Sequence, residues 1–142
     1  MELGVIGLGR MGANMAARLV ERGHTVAGFD RSAEALARAR AEGIRPAASL
    51  DALVRALAQP RAIWMMVPAG APVDATIESL VPLLASGDLL IDGGNSWYRD
   101  SIRRAEALAA RGMRYVDAGV SGGIWGRTEG YAIMAGGSKD AI

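Results

Sequence analysis

Gly7-Leu8-Gly9-Arg10-Met11-Gly12 is the stretch that decides the fold, because of its glycine spacing and of what flanks it. It follows a short apolar run at residues 3–6 and opens a segment, residues 10–22, whose apolar residues recur with helical spacing. This pattern predicts a buried strand, a tight turn and a helix. In such a turn the first glycine permits the bend, the second lets a pyrophosphate approach the backbone, and the third lets helix pack on strand. Residues 7–12 therefore predict a dinucleotide-binding turn, with the phosphates at the helix N-terminus.

The rest of the chain alternates strand-like and helix-like patterns. Further strands are predicted at residues 25–29, 44–47, 62–67, 89–91, 113–118 and 132–135. Further helices are predicted at residues 33–42, 49–58, 73–84 and 96–111. Such alternation with short connections is typical of a parallel sheet covered by helices. We predict an α/β fold of the Rossmann type, a doubly wound, mostly parallel sheet in three layers (α/β/α), formed by residues 1–142 as one dinucleotide-binding domain.

Local signals refine the last two of these helices. Pro82 is expected to kink the helix at residues 73–84 or to end it early. Ser96 is the predicted N-cap of the next helix. The residues of that helix predicted to face inward are Ile102, Ala105, Leu108 and Ala109.

Composition excludes several classes of protein. The 142 residues include no cysteine, which excludes disulfides and thiolate chemistry, and one histidine, His24, which disfavours a multi-histidine metal site or a Ser-His-Asp hydrolase, so we predict no metal site. The net charge of +1 gives no general attraction to nucleic acid or to a membrane. No apolar run approaches the ~20 residues that span a bilayer. With Glu2 next to the start and no signal peptide, the chain is expected to be cytoplasmic.

Asp30 ends the second predicted strand, 18 residues after Gly12. This is close to the spacing of about 20 residues expected for the acidic residue that binds an adenosine ribose. A carboxylate there accepts hydrogen bonds from the ribose hydroxyls and repels a 2′-phosphate. The simpler alternative is an ordinary strand-end aspartate. For the adjacent Arg31, pairing with a 2′-phosphate, stacking on adenine and simple solvation all remain open.

Residues 67–70 follow the predicted strand at 62–67. Ligands of open α/β sheets bind beyond the carboxyl ends of the strands. Val67, Pro68 and Ala69 are therefore candidate walls of a cofactor site, although a plain helix-entry loop has the same composition.

Two later loops carry polar groups after predicted strands. Asn95 offers a donor and acceptors on a loop that begins with two glycines, but Asn-Ser before a helix is also a common capping turn. Ser121, Gly122 and Gly123 offer a hydroxyl and exposed N–H groups that suit a carboxylate or a sugar hydroxyl. A plain turn is the alternative for this second loop.

A series of motifs along the chain resembles the amino-terminal part of the 6-phosphogluconate dehydrogenases, most closely their shorter bacterial form. The motifs are GLGRMGANM (7–15), FDRS (29–32), VPAG (67–70), DGGNSWYRD (92–100) and DAGVSGGIWGRTEGYAIMAGG (117–137). The most specific feature is DGGNS followed by SGG, since the related 3-hydroxyisobutyrate dehydrogenases usually carry a D-x-S-T loop. The resemblance covers almost the whole chain.

The resemblance implies part of an enzyme that converts 6-phosphogluconate to ribulose 5-phosphate and CO2, with hydride transfer to NAD or NADP. The cofactor-binding residues that it implies are Gly7, Leu8, Gly9, Arg10, Met11, Gly12, Asp30, Arg31, Val67, Pro68, Ala69 and Asn95. The substrate-binding residues that it implies are Asn95, Ser121, Gly122 and Gly123. Asn95 would lie between the nicotinamide and the sugar acid.

Two departures from the family pattern matter. NADP-using members typically have Asn-Arg-Thr where this chain has Asp30-Arg31-Ser32, so we expect NAD to be preferred and NADP to be possible. The family's catalytic lysine and glutamate belong to a carboxyl-terminal helical domain that residues 1–142 lack, so we expect no catalytic residue in this chain and no activity of it alone. Lys139 and His24 are expected to be ordinary surface residues.

Two other functions remain open. One is a 3-hydroxyacid dehydrogenase domain, which Asn95-Ser96-Trp97 disfavours. The other is a non-enzymatic module that binds NAD or mediates oligomerisation. The parent enzyme implied by the resemblance would be a homo-oligomer of the pentose phosphate pathway and gluconate metabolism.

Overall fold

The structure, a computed structural model, describes residues 1–142 apart from the side chain of Ile124. Its strands are β1 (Glu2–Ile6), β2 (Thr25–Phe29), β3 (Arg45–Pro46), β4 (Ala62–Met65), β5 (Leu89–Asp92), β6 (Arg114–Ser121) and β7 (Ala132–Gly137). Its α-helices are α1 (Arg10–Glu21), α2 (Ala33–Ala41), α3 (Leu50–Arg55), α4 (Ala71–Leu80), α5 (Tyr98–Ala109) and α6 (Gly126–Glu129). Short 3₁₀ turns cover Val81–Leu83 and Gly123–Trp125. Among the described residues, no helix combines the length and the apolar character needed to cross a bilayer.

The strands form one sheet in the order β3-β2-β1-β4-β5-β6-β7. Strands β1 to β6 are parallel, and β7 runs antiparallel to β6 at the edge. The chain adds strands in one direction from β1 to β3, then returns to the middle and adds β4 to β7 in the other. A doubly wound sheet of this kind has a crevice at its switch point, between the loops that follow β1 and β4. The predicted Rossmann-type fold is confirmed.

Helices cover both faces of the sheet, because successive strand residues point to opposite faces. Val5 packs in a cluster with Ala16 of α1 and Ala39 of α2. Its neighbour Ile6 belongs to a second cluster, which contains residues of α3, α4 and α5. The result is the predicted arrangement of three layers.

The turn between β1 and α1 depends on close backbone contacts. Gly7 has φ +90°, and a Cβ there would collide with the carbonyl oxygen of Met66, just beyond β4. A Cβ on Gly12 would collide with the carbonyl oxygen of Gly7. Only glycine accepts the left-handed backbone at Gly7, and only glycine fits the close backbone contacts at both positions. Helix α1 therefore begins directly at the carboxyl end of β1.

Helix α5 begins later than predicted. Trp97 is its N-cap residue, and no side chain caps the helix. Ser96, the predicted cap, instead donates a hydrogen bond from Oγ to Oδ2 of Asp92 at 2.7 Å. The prediction of a Ser96 cap is wrong because the buried carboxylate offers this hydroxyl a charged acceptor.

The buried face of α5 differs in part from the prediction, which is confirmed for Leu108 and for the half-buried Ala105 but not for Ile102 and Ala109. Its buried residues are Ser101, Arg104 and Leu108. The predicted Ile102 is 53% exposed, and Ala109 is exposed as well. Hydrophobic periodicity assumes that inward residues are apolar, and a buried arginine breaks that assumption.

The sequence patterns do not predict helix α6 or the 3₁₀ turn at Gly123–Trp125 that precedes it. The remaining elements differ from the prediction only at their ends. Helix α4 ends at Leu80, and Pro82 lies in the 3₁₀ turn that follows, as its missing N–H and fixed φ require. Strand β6 continues through Ser121 instead of ending at Ala118. The extension arises because β7 pairs with β6 from Val116 to Ser121.

At the amino edge of the sheet, Asp88 ties the start of β5 to the start of β4. Its side chain is 1% exposed. Its carboxylate accepts hydrogen bonds from the N–H of Arg61 at 2.8 Å, from Nη1 of Arg61 at 2.9 Å and from the N–H of Ala85 at 2.9 Å. Burial opposes ionisation, but these donors and the guanidinium charge outweigh it and lower the pKa of Asp88.

Replacing this carboxylate should destabilise the fold. We expect Asp88→Asn to lower the free energy of unfolding by about 2–3 kcal/mol, because the amide cannot accept all of these hydrogen bonds and lacks the charge. The pKa of Asp88 is lower in the folded chain than its ordinary value of 3.8. Its stabilisation is therefore present above that ordinary value and is lost as the pH falls through the folded value. Urea unfolding between about pH 3 and pH 7 should show a weaker pH dependence for the variant.

The matched control for this experiment is Asp51→Asn. Asp51 pairs with Arg55 at 3.0 Å on the surface of α3, with 47% of its side chain exposed. Its replacement should change the free energy of unfolding by less than about 0.5 kcal/mol. Equal losses in the two variants would contradict the role assigned to Asp88.

Candidate functional site

A cavity of about 670 Å³ opens at the carboxyl edge of the sheet, in the crevice between the loops that follow β1 and β4. Small-ligand sites have volumes of roughly 300–1,000 Å³. The cavity is lined by several residues predicted to bind a cofactor: Gly7, Gly9, Asp30, Arg31, Val67 and Pro68. The fold therefore joins loops from β1, β2 and β4 around one space.

The amino end of α1 borders this cavity through Gly9, its N-cap residue. No side chain caps the first turn of α1, and no acidic residue lies in it. A Cβ on Gly9 would find nothing within 4 Å, so the backbone here faces open space. Arg10 is exposed beside it and lines a smaller adjoining hollow. Uncapped N–H groups, the positive end of the helix dipole and a nearby arginine fit an anionic pyrophosphate.

Asp30 supports the glycine-rich turn as well as lining the cavity. Its Oδ2 accepts a hydrogen bond from the N–H of Leu8 at 2.7 Å, and its Oδ1 accepts one from the N–H of Ser32 at 2.8 Å. The side chain of Leu8 is buried in the core, so Leu8 offers the site only its backbone. A carboxylate has about four lone-pair positions, which leaves Asp30 able to accept from ribose hydroxyls too. The spacing pointed to Asp30, but the bond to Leu8 is visible only in the structure.

Helix α4 forms a wall of the cavity that the sequence analysis missed. The wall consists of residues in its first turns, namely Ala71, Pro72, Ala75 and Thr76. Ala71 and Ala75 are four residues apart, so they lie on one side of the helix. This spacing of two small residues directly after the VPAG motif is the sequence signal that could have predicted the wall. Of the predicted loop residues, Ala69 is exposed but does not line this cavity.

Asn95 is bound to β6 by two hydrogen bonds. Its Oδ1 accepts from the N–H of Val120 at 2.8 Å, and its Nδ2 donates to the carbonyl of Val120 at 3.3 Å. Its φ of +56° is a left-handed conformation that asparagine adopts more readily than most residues. The next residue of β6 is Ser121, which is exposed and leads into Gly122 and Gly123. Asn95 and the start of the SGG loop thus lie on one rim.

Met11 connects the glycine-rich turn to this rim. It is half-buried and packs against a cluster of Met15, Ala118 and Val120. Neither Asn95 nor Ser121 lines the 670 Å³ cavity itself. The predicted site is therefore divided into a cavity and a neighbouring rim, with Met11 between them.

Helix α6 follows the SGG loop (residues 121–123) and is held against α1 by two arginines. Arg127 donates to Glu21 of α1 and to Glu42 beyond α2, each at 2.7 Å. Arg18 of α1 donates to the carbonyl oxygen of Arg127 at 2.6 Å. The hydrogen bond from Arg127 lowers the pKa of Glu42. The SGG loop is consequently anchored by β6 on one side and by α1 on the other.

A buried carboxylate that the sequence analysis missed lies at the base of residues 93–97, here called the Asn95 loop. Asp92 is fully buried. Its Oδ1 accepts from the N–H of Gly94 at 2.9 Å, and its Oδ2 accepts from Oγ of Ser96 at 2.7 Å and from the hydroxyl of Tyr115 at 2.8 Å. Burial, with the charge of Asp92 beside it, raises the pKa of Tyr115 well above its usual range, so this hydroxyl remains a donor.

Lys139 and His24 lie at the opposite edge of the sheet. His24 precedes β2, and its Nδ1 is 3.2 Å from the amino group of Met1. Because β7 is antiparallel, Gly137 pairs with Val116 near the start of β6, and the exposed Lys139 lies beyond that end. Neither residue is placed to act at the carboxyl edge.

Comparison with known proteins identifies relatives of this arrangement. Residues 2–142 match the model of a family described as the NAD binding domain of 6-phosphogluconate dehydrogenase. An NAD(+)-dependent, decarboxylating 6-phosphogluconate dehydrogenase of Haloferax volcanii is 50% identical over 139 residues, which cover 98% of this chain and 46% of that protein.

Solved structures agree with this match. The 6-phosphogluconate dehydrogenase of Plasmodium falciparum, solved in its apo form and in complexes with NADP+ and with 6-phosphogluconate, superimposes with a TM-score of 0.90 at 33% identity. The alignment covers 99% of this chain and 32% of that one. A 3-hydroxyisobutyrate dehydrogenase of Mycobacterium tuberculosis superimposes with a TM-score of 0.86 at 31% identity, covering 99% and 47% of the two chains.

The chain spans less than half the length of each of these relatives. The resemblance seen in the motifs is confirmed over nearly the whole chain, and 6-phosphogluconate dehydrogenase is the better match of the two enzyme types. This chain belongs to the family of NAD-binding domains of 6-phosphogluconate dehydrogenase.

Proposed function

We propose that this chain is the cofactor domain of an enzyme that converts 6-phosphogluconate to ribulose 5-phosphate and CO2, with hydride transfer to NAD. The observation that carries the proposal is the rim formed by Asn95 and Ser121 beside a cavity built on Gly7, Gly9 and Asp30. The rim holds the two motifs, DGGNS and SGG, that distinguish this enzyme type in sequence. The name of the Haloferax volcanii relative, a decarboxylating dehydrogenase, supports the same activity.

In this proposal the dinucleotide lies across the switch point of the sheet. The pyrophosphate binds at Gly9 and the start of α1, with Arg10 adding positive charge and Leu8 supporting the turn. The adenosine ribose binds at Asp30, and the adenine lies against Arg31 and Pro68 in the cavity. NAD, when bound, supplies the hydride acceptor at its nicotinamide ring.

The nicotinamide half lies on the β4 and β5 side of the switch point. Val67 and Ala69 follow β4, Asn95 follows β5, and Met11 of α1 packs in a cluster with Val120, the residue bonded to Asn95. Asn95 is already paired with Val120, which orients its amide before any ligand arrives. One hydrogen of its Nδ2 group and the remaining lone pair of Oδ1 stay available for cofactor and substrate.

The sugar acid binds along the rim, to Asn95, the hydroxyl of Ser121 and the N–H groups of Gly122 and Gly123. Asn95, Ser121 and Gly123 are exposed, and Gly122 is half-buried. These groups orient a substrate of several hydroxyls and a carboxylate. The reaction removes a hydride from C3, releases CO2 from the resulting 3-keto acid and protonates the enediol. The proton donor and acceptor for these steps are proposed to lie outside residues 1–142.

NAD is the proposed preferred cofactor, and NADP a possible one. The carboxylate of Asp30 repels the 2′-phosphate of NADP, and that phosphate replaces the 2′-hydroxyl that would donate a hydrogen bond to Asp30. Arg31 lines the same cavity, and its positive charge offsets part of the lost binding free energy. The Haloferax volcanii relative is named as NAD(+)-dependent, whereas the Plasmodium falciparum enzyme was solved with NADP+.

The reaction sets the expected surroundings of the enzyme. A phosphorylated sugar acid and a dinucleotide are both charged and do not diffuse across a bilayer, so we expect the enzyme in the cytoplasm, in the pentose phosphate pathway and gluconate metabolism. A homo-oligomeric parent enzyme is part of the proposal. Nucleic acid and membrane partners are not expected, since the net charge is only +1.

A 3-hydroxyacid dehydrogenase is the second candidate. The superposition on the Mycobacterium tuberculosis enzyme, with its TM-score of 0.86, favours it. The Asn95-Ser96-Trp97 sequence weighs against it. Titration of the NAD-loaded chain with 6-phosphogluconate and with 3-hydroxyisobutyrate separates the two candidates, because only the cognate acid should bind.

The first prediction from the proposed function concerns cofactor choice. Calorimetry should show NAD binding about 10-fold more tightly than NADP, or about 1.4 kcal/mol. Asp30→Asn should narrow this ratio, and Arg31→Ala should widen it. Because Asp30 also holds the N–H of Leu8, its replacement should weaken both dinucleotides, so the ratio is the informative quantity. Tighter binding of NADP to the unsubstituted chain would contradict the preference.

The second prediction separates the side chain of Asn95 from its backbone. Asn95→Ala and Asn95→Gly remove the same two hydrogen bonds to Val120, but only alanine is strained at φ +56°. Urea unfolding should therefore show alanine less stable than glycine by about 1 kcal/mol. Both variants should weaken NAD binding equally. Unchanged NAD affinity in both would remove Asn95 from the site.

The third prediction is that the 142-residue chain does not turn over 6-phosphogluconate. General acid–base groups contribute about 10²–10⁴-fold each to such reactions, and Lys139 and His24 lie at the wrong edge of the sheet. The measurement is NADH absorbance with excess 6-phosphogluconate and NAD. Steady turnover of about 0.1 per second, a hundredth of a typical rate, would show that the catalytic groups are in this domain.

A further inference from the structure

We propose that Arg104 is a positioning residue that holds the Asn95 loop in place at the nicotinamide end of the cofactor site. The inference rests on the proposed function, since it assigns that loop to the nicotinamide half. Arg104 lies on α5, away from the cavity, and only 3% of it is exposed.

The guanidinium of Arg104 joins the loops that follow β4 and β5. On the β4 side, Nε donates to Oδ1 of Asp74 at 2.9 Å, and Nη2 donates to Oδ2 of Asp74 and to the carbonyl of Gly70, both at 3.1 Å. On the β5 side, Nη1 donates to Oγ of Ser96 at 3.1 Å and to Oδ2 of Asp92 at 3.4 Å. All three nitrogens are therefore in use, and the planar fork fixes one loop relative to the other.

The two loops depend on Arg104 to different extents. Helix α4 is packed into the core through Val73, Ile77 and Leu80, so it keeps its place without the ion pair to Asp74. The Asn95 loop has no such apolar anchor, and Trp97 at its end is 59% exposed. The backbone bonds of this loop are one from Gly93 to Met65 and, at the start of α5, two from Asp100 and Ser101 to the carbonyl of Trp97. Between these ends the loop is held by polar side chains. Loss of Arg104 should therefore release the Asn95 loop and leave α4 in place.

Arg104 also stabilises the Asn95 loop through its ion pair with Asp92. The carboxylate of Asp92 is fully buried, and in the folded chain Arg104 is the cation in contact with it. A buried carboxylate without its cation draws in water or shifts the groups around it. Ser96 and Gly94 are the loop groups bonded to that carboxylate, so they would move first.

The test compares NAD with ADP-ribose, which has the same adenosine and pyrophosphate but no nicotinamide. In calorimetric titrations of the 142-residue chain, Arg104→Lys should weaken NAD about tenfold and ADP-ribose by less than about twofold. Lysine keeps the charge but carries its donors on one nitrogen, so it lacks the planar fork whose separate nitrogens bond to the two loops. Ser96→Ala removes the hydroxyl that bonds both to Arg104 and to Asp92 but keeps both charged side chains. It should shift the same ratio in the same direction, and it is the variant to use if Arg104→Lys folds poorly.

Arg103→Lys is the matched control. Arg103 is the next residue on α5, its side chain is 58% exposed, and it bonds to Asp74 and Asp100 but not to the Asn95 loop. Both affinities should remain unchanged in this variant. Amide hydrogen exchange adds a structural readout, because Arg104→Lys should speed exchange at Gly94 and at Val120, whose N–H groups bond to Asp92 and Asn95, but not within α4.

The outcomes separate the inference from the proposed function. An unsubstituted chain that binds neither ligand overturns the proposed function. If the unsubstituted chain binds NAD no more tightly than ADP-ribose, or if Arg104→Lys weakens both ligands equally or neither, the positioning role of Arg104 is wrong while the dinucleotide site stands.

Discussion

The contact between the first turn of α1 and the turn after β1 is the constraint on which the site depends. Gly12 lies against the carbonyl of Gly7, and Gly7 lies against the carbonyl of Met66, so neither position accepts a side chain. This proximity points the uncapped end of α1 into the crevice between β1 and β4. A larger residue at either position would push the helix away, and the partial positive charge of its N-terminus would no longer face an anion bound at the cavity.

Two aspartates at strand ends convert flexible glycine-containing loops into defined surfaces. Asp30 at the end of β2 accepts the N–H of Leu8 in the turn after β1, and Asp92 at the end of β5 accepts the N–H of Gly94 in its own loop. Carboxylates are suited to this task because they accept several hydrogen bonds and the charge strengthens each one. The difference is solvent: Asp30 is partly exposed and open to a ligand, whereas Asp92 is fully buried and needs Arg104 and Tyr115.

The two halves of the site are built differently. The half that we propose for the adenosine is a cavity with walls from β1, β2, β4 and α4, and apolar packing of α4 supports it. The rim that carries Asn95 and Ser121 is exposed and rests on hydrogen bonds to a strand and on buried ion pairs. Polar supports of this kind fix a geometry only while every partner is present, so the rim is the part of the site most sensitive to substitutions elsewhere.

Apart from the short helix α6, the sequence by itself determined which strands and helices follow one another along the chain. It also determined the glycine-rich turn at residues 7–12 and singled out Asp30 and the two motif loops as candidates. These features are local: a period of apolar residues, a glycine spacing, a distance along the chain. The tertiary structure alone decided that Asn95 pairs with Val120 and that Ser96 bonds to Asp92 instead of capping α5. It also decided that Arg104, not Ile102, faces inward on that helix. A polar residue gives no periodic signal when it is buried, since its burial is favourable only if partners distant in sequence meet it. Asp74 and Asp92, 30 and 12 residues away from Arg104, are such partners, and folding is what brings them together.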